Sequence, residues 1–189
     1  LEPIAPDLTD DDLTVVNLET AIATEGRPED KNYTFRTPPT ALEALAAAGV
    51  DIVTMANNHG VDYGRTGLEQ TLAAKQNGPV DVIGIGEDAD DAFAPAVRDV
   101  GGTKIAVLGA TAFPLDPTVE RWPAEQDRPG IAVAIDPARL LQEVRAARKT
   151  ADLVVVYVHW GTERESCPNA TQRPLADRLA EAGADIIVG

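Results

Sequence analysis

The chain has 189 residues, 44% of them hydrophobic, which is enough to bury one real core; a single domain over residues 1–189 is the default expectation. Aromatics are only 4%, so that core must rest on Ala, Val, Leu and Ile. The formal net charge of −15 argues against nucleic acid, whose phosphates it repels, and against anionic polymers or lipid headgroups unless metal cations intervene.

Taken in chain order, four segments share one plan: an Asp, a short apolar run, then a small or polar cluster. The first runs from Asp12 through Val15 and Val16 to Asn17 and Glu19. Residues 40–48 form an Ala-rich helical stretch with Leu42 and Leu45 on one face and Gly49 as its stop. The second run goes from Asp51 to Asn57, Asn58 and His59. A helix over 65–76, closing near Gly78, leads into an apolar run over 80–85. Residues 96–100 and 104–109, joined by Gly101 and Gly102, read as an antiparallel hairpin. Residues 113–130 are Pro-rich and read as an irregular surface excursion.

A helix over 137–149 starts behind Asp136 as N-cap, with Leu140, Leu141 and Val144 as its stripe. The third run goes from Asp152 to His159, followed by Glu163. A helix over 170–182 closes at Gly183 and leads to the fourth run, Asp185 to Gly189. Such Val- and Ile-rich runs predict strands buried on both faces, and the class is α/β with mixed sheets. The abrupt start at Leu1 and the stop on Gly189 suggest a piece truncated at both ends. Cys167 is the lone cysteine, so no internal disulfide forms, and no run approaches the ~20 apolar residues that span a bilayer.

Ligands in open α/β sheets sit beyond the carboxyl ends of parallel strands. That rule gathers Asn17 with Glu19, Asn57 with Asn58 and His59, and His159 with Glu163. The chain has only these two histidines, and both end such runs. Glu19, Asn58 and His159 offer oxygen and imidazole ligands without thiolate, a set suited to Mn, Fe or Zn. His59, beside a ligand yet free to protonate a leaving oxygen, suits general acid work. The plainer reading of Glu19 is a strand-end carboxylate satisfied by backbone N–H groups. Gly84, Gly86 and the acids after them mimic a dinucleotide loop, but a tight turn is the better reading. Ser166 and Cys167 lack the strand-to-helix elbow of a nucleophile.

The stretch from Asn57 through His59 and Asp62 to Gly64 resembles a known family. With Asn17-Leu-Glu19 before it and His159-Trp-Gly-Thr-Glu163 after it, the chain is similar to the CapA proteins of bacterial poly-γ-glutamate capsule synthesis. Residues 33–38, 48–51 and 182–189 fit the same spacing. The resemblance implies a metallophosphatase-like α-β-β-α sandwich with mixed sheets. It also implies a divalent metal site, of one or two ions, with Glu19, Asn58 and His159 as ligands and His59 as the catalytic group. Asn17, Asn57, Asp62, Glu163 and Arg36 are candidates for supporting or substrate-contacting roles. The family's opening Gly-Asp strand and its later His-rich loop are not in this sequence, so the ligand set is expected to be incomplete. Two functions follow from the resemblance. One is a metal-dependent hydrolase or transferase acting on a phosphoester. The other is an accessory subunit that binds or tethers an anionic polymer, alongside a membrane synthase complex. The resemblance places the whole protein at the outer face of a bacterial membrane, anchored there.

Overall fold

A computed structural model describes residues 3–114 and 116–189. Leu115, within the stretch read as irregular, lies outside the described residues. In chain order the elements are α1 (Ala5–Thr9), β1 (Val15–Asn17), β2 (Ala21–Ile22), β3 (Arg36–Thr37), α2 (Thr40–Ala47), β4 (Ile52–Thr54) and α3 (Gly64–Asn77). Next come β5 (Asp81–Ile83), β6 (Ile85–Gly86), α4 (Ala89–Ala92), β7 (Ala96–Val100), β8 (Thr103–Thr111) and α5 (Pro117–Arg121). The chain continues with β9 (Gly130–Ile131), α6 (Ala138–Ala147), β10 (Leu153–His159), α7 (Gln172–Ala182) and β11 (Ile186–Val188).

Two sheets carry the fold. One has the order β1-β4-β5, all parallel. The other has the order β11-β10-β8-β7, parallel except for β7, which pairs antiparallel with β8 through the expected hairpin. Because side chains alternate along a strand, each strand feeds two layers. Ile52, Ile83, Ala96 and Val107 form a buried layer between the sheets, with Val15, Ile105 and Val155 against it. On the outer face of the second sheet, Ala106, Leu108, Val154 and Val156 join Leu140 and Val144 of α6 and Leu175 and Leu179 of α7. Val53 and Val82 share their core with Leu42 of α2 and Leu68 and Leu72 of α3. The result is the α/β sandwich with mixed sheets.

The Asp ahead of three of the four runs has a structural job. Asp51 Oδ2 accepts from Thr14 N, Asp152 Oδ2 from Lys104 N and Asp185 Oδ2 from Val154 N, each at 2.8 Å. Each carboxylate thus latches the backbone of the neighbouring strand just where parallel pairing starts. The latch fixes register, and register decides which face each strand-end residue points to.

Three expectations need correction. Of the four runs only β4, central in its sheet, is buried at every residue, and β10 alternates buried with half-buried residues; β1 is half-buried and Ile186 and Val188 of β11 are exposed. Both are edge strands among the described residues, so neighbours cover them on one side only. The 80–85 run is two strands in different sheets, divided at Gly84, whose φ of +80° a side chain would resist. Finally, 113–130 is no mere surface excursion: it holds α5, with Thr118 and Val119 buried, and β9, which pairs with β6. The expected helices form, with Asp136 accepting from Ala138 N at 3.1 Å and Gly183 left-handed at the end of α7. Among the described residues no helix is long and apolar enough to cross a membrane.

The sheets approach closely at Gly109 of β8. A Cβ there would lie 2.4 Å from Thr54 Oγ1 and 3.3 Å from Ile83 Cγ1, both on the first sheet. Gly109→Val is therefore expected to destabilise the chain by about 1–3 kcal/mol of overpacking, read by denaturant unfolding. An unchanged midpoint would mean that the sheets are not held this close.

Candidate metal centre

The strand ends of both sheets meet at one cleft. Asn17 closes β1 and Glu19 follows two residues later; Asn57, Asn58 and His59 lie on the loop after β4; His159 is the last residue of β10. Parallel pairing of β10 with β8 sets His159 opposite Thr111, on the same face as Gly109, and so towards the first sheet.

The buried Asn57 builds the near wall. Its Nδ2 donates to Asn17 Oδ1 at 2.9 Å and to Leu18 O at 3.0 Å, while its Oδ1 accepts from His59 N at 3.0 Å. Asn17 Nδ2 then donates to Glu19 Oε2 at 3.0 Å. This relay aims the other oxygen, Glu19 Oε1, at His59 Nε2 (3.9 Å) and His159 Nε2 (4.0 Å). Asn58 is held by its amide: Nδ2 donates to Asp116 Oδ2 at 3.2 Å, which turns Oδ1 to within 3.0 Å of His159 Nε2.

His59 is fixed from behind. Its Nδ1 lies 2.6 Å from Asp62 Oδ2, so Nδ1 carries the proton and Nε2 faces the cleft. The Phe35 ring packs against the imidazole with centroids 4.3 Å apart. Asp62 is fully buried; it also accepts from Phe35 N at 2.7 Å and pairs through Oδ1 with Lys31 Nζ at 2.7 Å. Lys31 donates further to Asn58 O and, at 3.2 Å, to Thr118 Oγ1. A cleft of about 410 Å³ opens beside these donors, lined by Lys31, Asn58, His59, Phe113, Asp116 and Glu163 among others; Glu19 and His159 adjoin His59 and Asn58 without lining it.

Glu19, Asn58, His59 and His159 are thus brought together. Asn17, Asn57 and Asp62 orient them. Glu163 sits exposed on the rim. Arg36 does not join the cleft lining; its guanidinium lies over the Tyr63 ring, 4.5 Å from the centroid. Lys31, Phe35 and Asp116 are site residues that sequence reasoning missed. For Asp116 a signal existed: Asp before Pro117 is a helix-start pattern, and Asp116 Oδ1 accepts from Thr118 N at 2.8 Å. Nothing local marks Lys31.

The donors fit a divalent ion. Two donors on one ion at about 2.1 Å each can be at most ~4.2 Å apart, and Asn58 Oδ1, Glu19 Oε1 and His159 Nε2 stand 3.0 and 4.0 Å apart along this set. Among the described residues no group of three or more His, Cys, Asp or Glu could hold a metal, so the set depends on the Asn58 amide oxygen.

Burial, aided by the nearby His59, pushes the His159 pKa below its ordinary 6.5, against the opposing pull of Glu19 and Asp116. Neutral imidazole is the form that ligates metal. Between the lowered folded value and 6.5 the unfolded chain binds more protons than the folded one. Stability tied to His159 is thus complete above about pH 6.5 and falls as pH drops through that window. An NMR titration of the metal-free chain is expected to give His159 a midpoint below 6.5; a midpoint above it would contradict the burial argument. Asp62→Ala, which leaves the buried Lys31 ammonium with Asp116 Oδ2 at 3.8 Å as its remaining charged partner, is expected to cost about 3–5 kcal/mol in chemical denaturation. A loss under about 1 kcal/mol would mean that the pair is solvated.

Comparison with known proteins bears on the family and the fold. The chain is 33% identical to the capsule biosynthesis protein CapA of Bacillus anthracis over 98% of its own length and 46% of that protein's. It is 38% identical to the PGA biosynthesis protein CapA of Bacillus subtilis, over 85% and 41%. A Mycobacterium tuberculosis protein described as a probable polyglutamine synthesis accessory protein is 31% identical, over 94% and 49%. The chain spans about half the length of these relatives. Among solved structures, a hypothetical protein from Thermus thermophilus matches with a TM-score of 0.51 at 18% identity, over 98% of this chain and 60% of that one. A Staphylococcus aureus protein described as a putative 5'-nucleotidase, in complex with α-ketoglutarate, matches with a TM-score of 0.50 at 22% identity, over 77% and 29%. At such identities these two bear on the fold alone, the α/β sandwich with mixed sheets. The family model for the bacterial capsule synthesis protein PGA_cap matches residues 1–189, and the chain belongs to that family.

Proposed function

We propose that this chain carries the catalytic part of a metal-dependent hydrolase or transferase that acts on a phosphoester in capsule or polyglutamate synthesis. One observation supports the reading above others: the Glu19, Asn58 and His159 donors stand beside a histidine whose outer nitrogen is free and whose inner nitrogen is held by a buried carboxylate. Glu19, Asn58 and His159 would hold a divalent ion of the Mn, Fe or Zn kind, or one of a pair. Such an ion, when bound, polarises a phosphoryl oxygen and acidifies water.

The chain's own residues do the rest. His59, as the imidazolium that Asp62 stabilises through Nδ1, donates its Nε2 proton to the leaving oxygen and is left as the neutral ring with its remaining proton on Nδ1. Phe35 covers one face of the ring, keeps water from it and stops it turning. Asn57 and Asn17 keep Glu19 aimed into the site. Lys31 holds the Asn58 carbonyl and Asp62 together, so that ligand and acid move as one unit.

His59→Ala is expected to lower turnover of a chromogenic phosphodiester by about 10²–10⁴-fold, while elemental analysis finds the same bound metal. Turnover at the wild-type rate in that variant would remove His59 from the chemistry.

A second reading rests on the small donor set among the described residues and on the relative described as an accessory protein. In it the chain binds or tethers an anionic polymer for a membrane synthase without breaking a bond. In either reading the whole protein works at the outer face of the membrane. A polymer pull-down that survives chelation would exclude a metal bridge to the polymer.

A further inference from the structure

A second cleft of about 400 Å³ opens beside the metal-type one, lined by Arg27, Glu29, Tyr63, Arg65, Arg121 and Trp122 among others. Asp30 lines both clefts, so they are neighbours along one surface. On a chain of net charge −15, this one is rich in guanidinium groups.

Of the two carboxylates that line it, Glu29 is already engaged, while Asp30 is exposed at the junction of the two clefts. Glu29 pairs with Arg121 through one oxygen and accepts from Trp122 Nε1 at 3.0 Å through the other. Arg27 has no carboxylate within 4.0 Å among the described residues, and Arg65 reaches Glu69 only at 4.0 Å with both side chains 62% exposed. A pair that loose contributes little and leaves the guanidinium available. Arg36, stacked on Tyr63, adds a further cation behind the cleft wall. The first turn of α3, which opens here, carries no acid to compete for these cations. Tyr63 and Trp122 supply flat walls against which the methylenes of an acidic side chain can lie.

Guanidinium forks match carboxylates in a bidentate manner, and several along one groove suit a ligand with carboxylates at regular intervals. We propose that this cleft is a docking groove for an extended acidic polymer of the polyglutamate kind, with Arg27 and Arg65 taking its carboxylates and passing the chain past Asp30 to the metal-type cleft. The inference rests on the reading that this chain meets an acidic polymer, and adds the surface that does so. Repulsion from the rest of the chain is screened beyond ~8 Å at physiological salt, so these near cations decide binding.

The test is fluorescence anisotropy with an end-labelled γ-linked glutamate oligomer on the full chain. Arg27→Ser/Arg65→Ser is expected to weaken binding at least tenfold, with an unchanged melting temperature because neither side chain is buried. A charge-matched control, Arg145→Ser/Lys149→Ser on the α6 side, is expected to stay within twofold of wild type. Equal loss in both double variants would reduce the effect to net charge and overturn the proposal. So would wild-type binding in the first variant, or no binding by the wild-type chain. Turnover of a small chromogenic phosphodiester and bound metal are measured in the same variants. Binding lost with turnover kept supports the groove, and turnover absent throughout with Arg-dependent binding kept would sink the phosphoesterase reading alone.

Discussion

A fully buried carboxylate must be paired on every side that water has left, and Asp62 meets that demand with three partners at once. One oxygen takes His59 Nδ1 and Phe35 N; the other takes Lys31 Nζ. Burying a charge so completely is costly unless its partners are charged or well aimed. These partners come from loop 55–63 and from the segment around 31–35. Lys31 carries the tie on to Asn58 O and to Thr118 of α5. The wall of the cleft is therefore one network, with Lys31 tied to both Asp62 and Asp116.

The same network settles which atom of each functional residue faces the cleft. Asp62 leaves His59 Nε2 outward; Asp116 leaves Asn58 Oδ1 outward; Asn17 leaves Glu19 Oε1 outward. In each case a polar group behind the residue holds one end, so the other end is presented without freedom to rotate. Preorganisation of this kind matters as much to a metal or transition state as the identity of the donors. The two sheets supply the rest, since their carboxyl ends point at one place and Gly109 lets them approach closely enough for His159 to reach Asn58.

Much of this was legible in the sequence, for physical reasons. A strand ending in Asn-Asn-His, another ending in His and a third followed by Glu can converge only where parallel strands end, so Glu19, Asn58, His59 and His159 could be grouped without coordinates. The Asp that opens each run was visible as a pattern, but the role of Asp51, Asp152 and Asp185 as backbone latches to the neighbouring strand was not, because strand order is not local. Burial on both faces failed for β1 and β11 for the same reason: an apolar run does not say whether its strand is central or at an edge. Lys31 lies 31 residues before Asp62 in a polar stretch, where one lysine looks like any other. Asp116 was hidden by a Pro-rich segment whose helix start went unread.

The claim on which the account turns is that both sheets contribute donors to one metal position. Anomalous diffraction from a manganese-soaked crystal tests it most directly. The account predicts a peak within bonding distance of Glu19, Asn58 and His159 together, absent in His159→Ala crystals. A peak held by other residues, or none at saturating manganese, would contradict it.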